Sequence, residues 1–162
     1  MNKLNFFGIG PIIGRIAIPW LAVAIFFSVK FKSIFTYIED RNSILFYIGL
    51  AFLIAGLLIY FLTLPLLLKG LKETRLVTKG SYYLCCNPLY CAIILFIIPG
   101  ISFMMNSWLV LTTSAVAYVL FKFSIKKEYT EMEKFFGDEY RNYRADTPEF
   151  LPFPVKKWFR SA

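Results

Sequence analysis

The sequence predicts an all-α, polytopic membrane protein with about four transmembrane helices, and two observations support this fold class. Hydrophobic residues make up 58% of the 162 residues and charged residues only 17%, whereas a soluble domain carries roughly 25% charged residues. The apolar residues also form long blocks, since no charged residue occurs in 42–68 or in 80–121. Because about 20 apolar residues cross a bilayer as a helix, the first block fits one span and the second fits two. These observations exclude a soluble globular domain.

The first two spans lie in residues 1–68 and come from separate apolar stretches. The first stretch covers about 9–29, with Arg15 close enough to one end for its side chain to reach the headgroups. Prolines interrupt this stretch and no small-residue cleavage site follows it, so we expect a retained membrane anchor and not a cleaved signal peptide. A charged and aromatic linker, 30–41, leads to the second span at about 43–68.

Residues 69–125 predict a cytosolic loop followed by a hairpin of the third and fourth spans. The pair Asn87-Pro88 is typical of a helix start, with Asn as the N-cap and Pro at the first helical position. Asn106-Ser107 is the polar break before the fourth span at 108–125. Basic residues concentrate in 69–79 and are absent from the hairpin tip. The positive-inside rule therefore predicts that the loop and both termini are cytoplasmic.

Residues 126–162 are charged and aromatic, and they predict a cytosolic segment with a C-terminal amphipathic helix. Apolar and charged residues recur on opposite faces at helical spacing, Tyr129, Met132 and Phe136 against Lys127, Glu131 and Lys134. Gly137 suits the end of this helix, and Asp138 is a suitable cap for the next turns. Three prolines, Pro148, Pro152 and Pro154, then end regular structure. We interpret 1–162 as a single membrane domain.

The composition also excludes several kinds of site. The chain has no histidine, which excludes a Ser-His-Asp triad and His-ligated zinc. Its three cysteines lie in an apolar stretch, and we expect protonated, buried thiols and no metal site at Cys85, Cys86 and Cys91. The net charge of +8 lies between and after the apolar runs. This placement indicates attraction to anionic membrane lipids and not to nucleic acid.

A glycine-rich stretch, 8–14, precedes the first span and contains Gly8, Gly10 and Gly14. Its spacing differs from that of a dinucleotide-binding loop, no strand precedes it, and a membrane span follows. We interpret its glycines as small residues within a membrane helix.

Two motifs carry the chemistry of this sequence when they are taken together and in order. The first is LVTKGSYYLCCNPLY, from Leu76 to Tyr90. The second begins at Glu128, about forty residues later, and continues with FFGDEYRNY and the closing EFLPF. In this order, around a helical hairpin, the motifs resemble the isoprenylcysteine carboxyl methyltransferase and phospholipid methyltransferase superfamily. The resemblance covers about 76–153.

The resemblance implies an integral-membrane enzyme that uses S-adenosyl-L-methionine and receives lipid-like substrates sideways from the membrane. It implies a cytosolic pocket in which eight residues contact the cofactor: Leu76, Val77, Gly80, Tyr82, Asn87, Pro88, Tyr90 and Glu128. In such a pocket Glu128 would accept hydrogen bonds from hydroxyl or ammonium groups, and tyrosine rings would face adenine or the sulfonium. Methyl transfer requires neither a metal nor imidazole.

Two arginine positions of the family carry other residues in this sequence. The arginine before the Asn-Pro pair is Cys86, and the arginine four residues before Glu128 is Ser124. We expect a neighbouring lysine to replace the lost cation, so the predicted substrate-binding residues are Lys122, Ser124 and Lys126. A lysine is a point charge and lacks the bidentate geometry of arginine. The replacement therefore argues most strongly against recognition of a prenylcysteine carboxylate.

The leading hypothesis is a methyltransferase that acts on a carboxylate or amine of a lipid-like or lipidated substrate. We expect it in the cytoplasmic membrane of a prokaryote, with the site at the cytosolic face. The alternative is a non-catalytic relative that binds a lipid or a partner, because both arginines are replaced. A third hypothesis is a reductase, since membrane sterol reductases share related C-terminal architecture, but no nicotinamide-phosphate site in the sequence supports it.

Overall fold

The computed structural model describes residues 8–38 and 43–150, and within these ranges every regular element is helical. In chain order the helices are α1 (Gly10–Lys30), α2 (Lys32–Phe35), α3 (Ser43–Glu73), α4 (Ser81–Leu84), α5 (Pro88–Met104), α6 (Trp108–Phe136) and α7 (Asp138–Asp146). The predicted all-α class is confirmed for the described residues. The expectations for 39–42 in the first linker, and for Pro152, Pro154 and the closing LPF, lie outside these ranges.

Three helices in the described ranges are long and apolar enough to cross a membrane. They are α1, α3 over Ile44–Glu73, and α6, with 21, 30 and 29 residues, and each exceeds the roughly 20 residues that a bilayer requires. Their length and composition are those of an integral membrane protein. The third predicted span corresponds to α5, a shorter apolar helix. The count of four spans therefore stays a prediction.

Glycines allow the backbones of α3 and α5 to approach each other closely. A Cβ atom at Gly49 would lie 2.7 Å from the carbonyl oxygen of Gly100, and one at Gly56 would lie 2.8 Å from the Cβ of Phe96. Small residues hold membrane helices together in this way, because lipid tails compete equally well for larger apolar side chains. Opposite Gly56, Ala92–Ile97 form a π-helical segment within α5.

Different contacts hold the two ends of the helix bundle. At one end the segment after α2 meets the hairpin tip, where Asn106 Nδ2 donates to the carbonyl oxygen of Ile38 at 2.9 Å. At the other end the start of α1 meets α6, where the backbone N–H of Ile9 donates to Glu128 Oε2 at 3.1 Å. The start of α1 and the C-terminal part of α6 therefore share one end of the bundle.

α6 continues without a break through the position where the sequence predicts a fourth span and then a separate C-terminal helix. No glycine or proline occurs between 108 and 136, so the change from apolar to amphipathic composition does not interrupt the backbone hydrogen bonds. In its last turns Tyr129 is buried and Met132 and Phe136 pack against the core. The charged residues of the opposite face, Lys127, Glu131 and Lys134, are exposed.

Gly137 ends α6 as the sequence predicts. Its φ of +58° lies in the left-handed region that glycine adopts readily. Asp138 is the first residue of α7 and makes no capping hydrogen bond. It pairs instead with Arg141 at 2.9 Å, so the cap predicted for Asp138 is replaced by an ion pair within the helix.

Candidate functional site

A cavity of about 380 Å³ lies at the end of the bundle where α1 begins. Its volume falls within the roughly 300–1,000 Å³ of typical ligand sites. Seven of the eight predicted cofactor residues line it: Leu76, Val77, Tyr82, Asn87, Pro88, Tyr90 and Glu128. The fold thus brings the two sequence motifs together in one cavity. That these residues contact a cofactor stays a prediction.

Gly80, the eighth predicted residue, is not among the described residues that line the cavity. It precedes α4 with a φ of +66°, and a Cβ atom there would lie 2.6 Å from Leu66 Cδ1. Its carbonyl oxygen accepts a hydrogen bond from Tyr83 N at 3.0 Å. Gly80 therefore forms the turn that presents Tyr82, two residues later, to the cavity.

Glu128 is partly buried in the wall of the cavity and is held by two donors. Its Oε2 accepts hydrogen bonds from the backbone N–H of Ile9 at 3.1 Å and from the Tyr90 hydroxyl at 3.3 Å. The ion pairs of the described residues do not include Glu128. Both hydrogen bonds use Oε2, and no donor among the described residues is hydrogen-bonded to Oε1.

Asn87 is buried and connects the first motif with the segment after α7. Its Nδ2 donates to the Tyr129 hydroxyl at 2.7 Å and to the carbonyl oxygen of Glu149 at 2.8 Å. Since these bonds use both amide hydrogens, only Oδ1 is available to a ligand. α5 begins at Pro88 as predicted, but the Asn87 side chain makes no capping bond. The backbone carbonyl oxygen of Asn87 accepts the first hydrogen bond of α5, from Cys91 N at 3.0 Å.

The hydroxyl and thiol groups at the cavity outside the predicted spans are held in their neutral forms. Burial raises the pKa of Tyr82, Tyr140 and Tyr143 well above the usual value of a phenol. Burial also raises the pKa of the Cys86 thiol to about 11. The residue at the first replaced arginine position is therefore an uncharged thiol, and the tyrosines are hydrogen-bond donors.

The other two cysteines are buried away from solvent, each with 1% of its surface exposed. The sulfur atoms of Cys85 and Cys91 lie 3.5 Å apart. Across 8–38 and 43–150, no group of three cysteine or carboxylate side chains is arranged to hold a metal ion.

Arg75 lines the cavity and belongs to the basic loop but to neither motif. Its side chain is 61% exposed, and its Nε lies 2.7 Å from Glu73 Oε2. Among the described residues of the lining it is the one cation, beside the carboxylates Glu128 and Glu131. No motif marks Arg75, although its position directly before Leu76 is a signal that it lies near the site.

One face of α3 forms an apolar wall of the cavity, and its residues belong to neither motif. Its residues are Tyr60, Leu64, Leu67, Leu68 and Leu71. Their spacing places them on one side of the helix over about three turns. Ile93, in the π-helical segment, faces the same space. The wall leads from the basic loop toward the middle of α3, and its helical spacing was available in the sequence.

The three predicted substrate-binding residues are not among the described residues that line the cavity. Lys122 forms an ion pair with Glu149, Ser124 is half-buried, and Lys126 is exposed. Their role in substrate binding stays a prediction.

Comparison with known families supports the resemblance between the two motifs and the methyltransferase superfamily. Residues 69–139 match the family model described as phospholipid methyltransferase. The match begins at the end of α3 and extends just past Gly137, so it contains the first motif, the helical hairpin and Glu128. The predicted resemblance is confirmed over this part of the chain. No curated protein and no solved structure is significantly similar to the chain.

Proposed function

We propose that the protein transfers a methyl group from S-adenosyl-L-methionine to a lipid-like substrate at the cytosolic membrane face. The premise is the match of residues 69–139 to the phospholipid methyltransferase family. The observation that carries this proposal is the shared cavity of the two motifs. Seven residues chosen from the sequence, on both sides of the hairpin, line one space of ligand size. Separate structural roles for these residues would not require a common cavity.

The chemistry of the cavity lining fits the cofactor. Among the described residues, no hydrogen-bond donor contacts Glu128 Oε1 or Asn87 Oδ1. Both oxygens are therefore suited to accept from ribose hydroxyl or ammonium groups. The rings of Tyr82 and Tyr90 offer faces for an adenine or a sulfonium. When bound, the cofactor supplies an activated methyl group on a positively charged sulfur.

The residues of the chain contribute by binding, orienting and excluding water. A cavity with a largely apolar wall aligns the reactants, and it weakens the solvation of the sulfonium charge that disappears during transfer. The hydroxyl groups of Tyr82, Tyr140 and Tyr143 stay protonated because burial raises their pKa. These neutral hydroxyl groups can donate hydrogen bonds, as Tyr143 does to the carbonyl oxygen of Tyr82, and we assign Glu128 to binding and not to proton transfer.

The lining also supports a lipid-like substrate with an anionic or polar head. An apolar chain would lie along the α3 wall, where its burial is favourable. The head would then lie near Arg75, whose guanidinium binds a phosphate or carboxylate in a bidentate manner. This placement agrees with the proposed cytosolic site and cytoplasmic termini, because Arg75 belongs to the basic loop. Lys122, Ser124 and Lys126 remain candidates for an outer part of the substrate path.

A second candidate function is that of a non-catalytic member which binds a lipid or a partner. The observation that favours it is the replacement of the two family arginines by Cys86 and Ser124. Neutral side chains at these positions remove cations from the site.

Two measurements test the proposal. Calorimetric titration of the purified protein in detergent should give saturable binding of S-adenosyl-L-methionine. Membranes that contain the protein, incubated with methyl-labelled cofactor, should then carry label in the lipid fraction, in excess of membranes without it. Absence of binding would favour the non-catalytic candidate, and dependence on a nicotinamide cofactor would favour a reductase.

A further inference from the structure

We propose that the segment Gly8–Gly10 at the start of α1 is part of the cofactor site and positions Glu128 for its ligand. This inference rests on the proposed function, since it concerns the carboxylate assigned to the cofactor. The segment lies outside the family match, which begins at residue 69. It also gives the N-terminal glycines a role other than helix packing.

The first observation is the contact between α1 and Glu128. The backbone N–H of Ile9 donates to Oε2 at 3.1 Å across 119 positions of sequence. Ile9 is buried, with 3% of its surface exposed, and the hydrogen bond itself is partly buried. The carboxylate also lies at the N-terminus of a long helix, where a negative charge is stabilised by the helix dipole. With the Tyr90 hydroxyl as second donor, the contact restricts the rotation of the Glu128 side chain.

The second observation is that Gly8 leaves no space for a side chain beside this carboxylate. A Cβ atom at Gly8 would lie 2.7 Å from Glu128 Oε2 and 3.2 Å from the Tyr90 hydroxyl oxygen. The φ of Gly8 is +50°, which other residues adopt at a cost. The first constraint arises at the carboxylate and the second in the backbone of Gly8. Glycine at this position therefore allows the chain to approach Glu128 closely enough for the Ile9 hydrogen bond.

The third observation is that Gly8 and Gly10 both line the cavity. A Cβ atom at Gly10 would have no atom of the described residues within 4 Å. A small side chain added at Gly10 would thus enter open space at the cavity without displacing the described residues. Gly14, one turn further along α1, is outside the lining and would place its Cβ in ordinary contact, 3.5 Å from Ile18 Cδ1.

These observations lead to three substitutions with different expected effects. Gly8→Ala pushes against the carboxylate and should weaken binding of S-adenosyl-L-methionine about tenfold or more, the loss expected for one charge-assisted hydrogen bond. Gly10→Val narrows the cavity and should also weaken binding, with little change in melting temperature. Gly14→Ala is the matched control, and it should leave binding unchanged and should not lower the melting temperature, since Ala favours a helix more than Gly does. The measurements are calorimetric titration and thermal unfolding of the full chain in detergent.

A double-mutant cycle tests whether Gly8 acts through Glu128. In a Glu128→Gln background, Gly8→Ala should reduce the affinity for S-adenosyl-L-methionine much less than it does in the native chain. The reason is that the Glu128 charge, which the alanine would displace, is already absent. Fully additive losses would indicate a general structural effect and would overturn the inference. If Gly8→Ala lowers the melting temperature, its loss of affinity could come from misfolding. The affinity of Gly10→Val for S-adenosyl-L-methionine then tests whether the segment belongs to the cofactor site.

The outcomes separate this inference from the proposed function. If the unmodified protein does not bind S-adenosyl-L-methionine, the proposed function fails and the inference fails with it. If the unmodified protein binds, and Gly8→Ala and Gly10→Val bind equally well, only the role of the α1 segment is refuted.

Discussion

Replacement of Glu128 by Gln removes the charge of the side chain and keeps its shape. The amide oxygen of Gln can still accept from Ile9 N–H and from the Tyr90 hydroxyl, which both contact Oε2 in the native chain. The amide NH₂ group then takes the place of Oε1, so an acceptor for the cofactor becomes a donor. We expect little change in folding and a large change in cofactor binding.

The magnitude follows from the kind of hydrogen bond that is lost. A charge-assisted hydrogen bond contributes about 1.5–3 kcal/mol. At about 1.4 kcal/mol for each factor of ten, the affinity for S-adenosyl-L-methionine should fall roughly ten- to a hundredfold. Calorimetric titration of the purified variants in detergent measures this ratio directly.

The choice of control depends on where the neighbouring carboxylates lie. Glu131 is on the same helix but lines the cavity, so its replacement would alter the site and is not a suitable control. Glu133 is not in the described lining and pairs with Arg141 at 2.9 Å. Glu133→Gln removes an exposed ion pair, which contributes at most about 1 kcal/mol to stability, and should leave cofactor affinity unchanged. Equal affinities for Glu128→Gln and Glu133→Gln would refute the role of Glu128.

The remaining predictions concern the substrate, the topology and the cysteines. Arg75→Ala should raise the KM for a lipid substrate and leave cofactor affinity unchanged, whereas Lys79→Ala, in the same loop but outside the described lining, should change neither in steady-state assays. A cysteine introduced at Asn106 should react with an impermeant thiol reagent added outside the cell and one at Lys157 should not; the reverse pattern would contradict cytoplasmic termini. Replacement of Cys85, Cys86 and Cys91 together by alanine should preserve methyl transfer in membranes. Loss of all activity in a folded triple variant would show that one of these thiols is required.

Much of the fold could be predicted because its determinants are local. Uncharged runs of membrane length mark the long helices, and the Asn87-Pro88 pair and Gly137 mark a helix start and a helix end through backbone preferences. The continuity of α6 could not be predicted from its composition, because a change of polarity alters the surroundings of a helix and not its hydrogen bonds. The π-helical segment of α5 lies against Gly56, and no local pattern in the sequence indicates where it occurs.

The candidate site divides in the same way. Motif residues such as Asn87 and Glu128 could be selected because their order and spacing match a family, and the fold brings them to one cavity. Gly8 could not be selected, since it reaches the cavity through a tertiary contact with the distant residue Glu128. Arg75 belongs to no motif, and only its position directly before Leu76 indicates that it lies near the site. The role of a lysine on α6 in place of a lost family arginine stays a prediction, and the cation in the described lining is Arg75 of the basic loop.

The π-helical segment has a consequence for how this site tolerates insertions and deletions. A π-helical segment accommodates an additional residue in an otherwise α-helical run, and it separates Tyr90, which faces the cavity, from Gly100, which faces α3. A regular α-helix turns by about 100° per residue, so one residue added to an unbroken α-helix would rotate one half of α5 against the other by that angle. The π-helical segment takes up this residue, so that Tyr90 reaches Glu128 in the cavity while Gly100 stays against α3. Deletion of one residue within Ala92–Ile97 should therefore be tolerated better than a deletion in an α-helical part of α5.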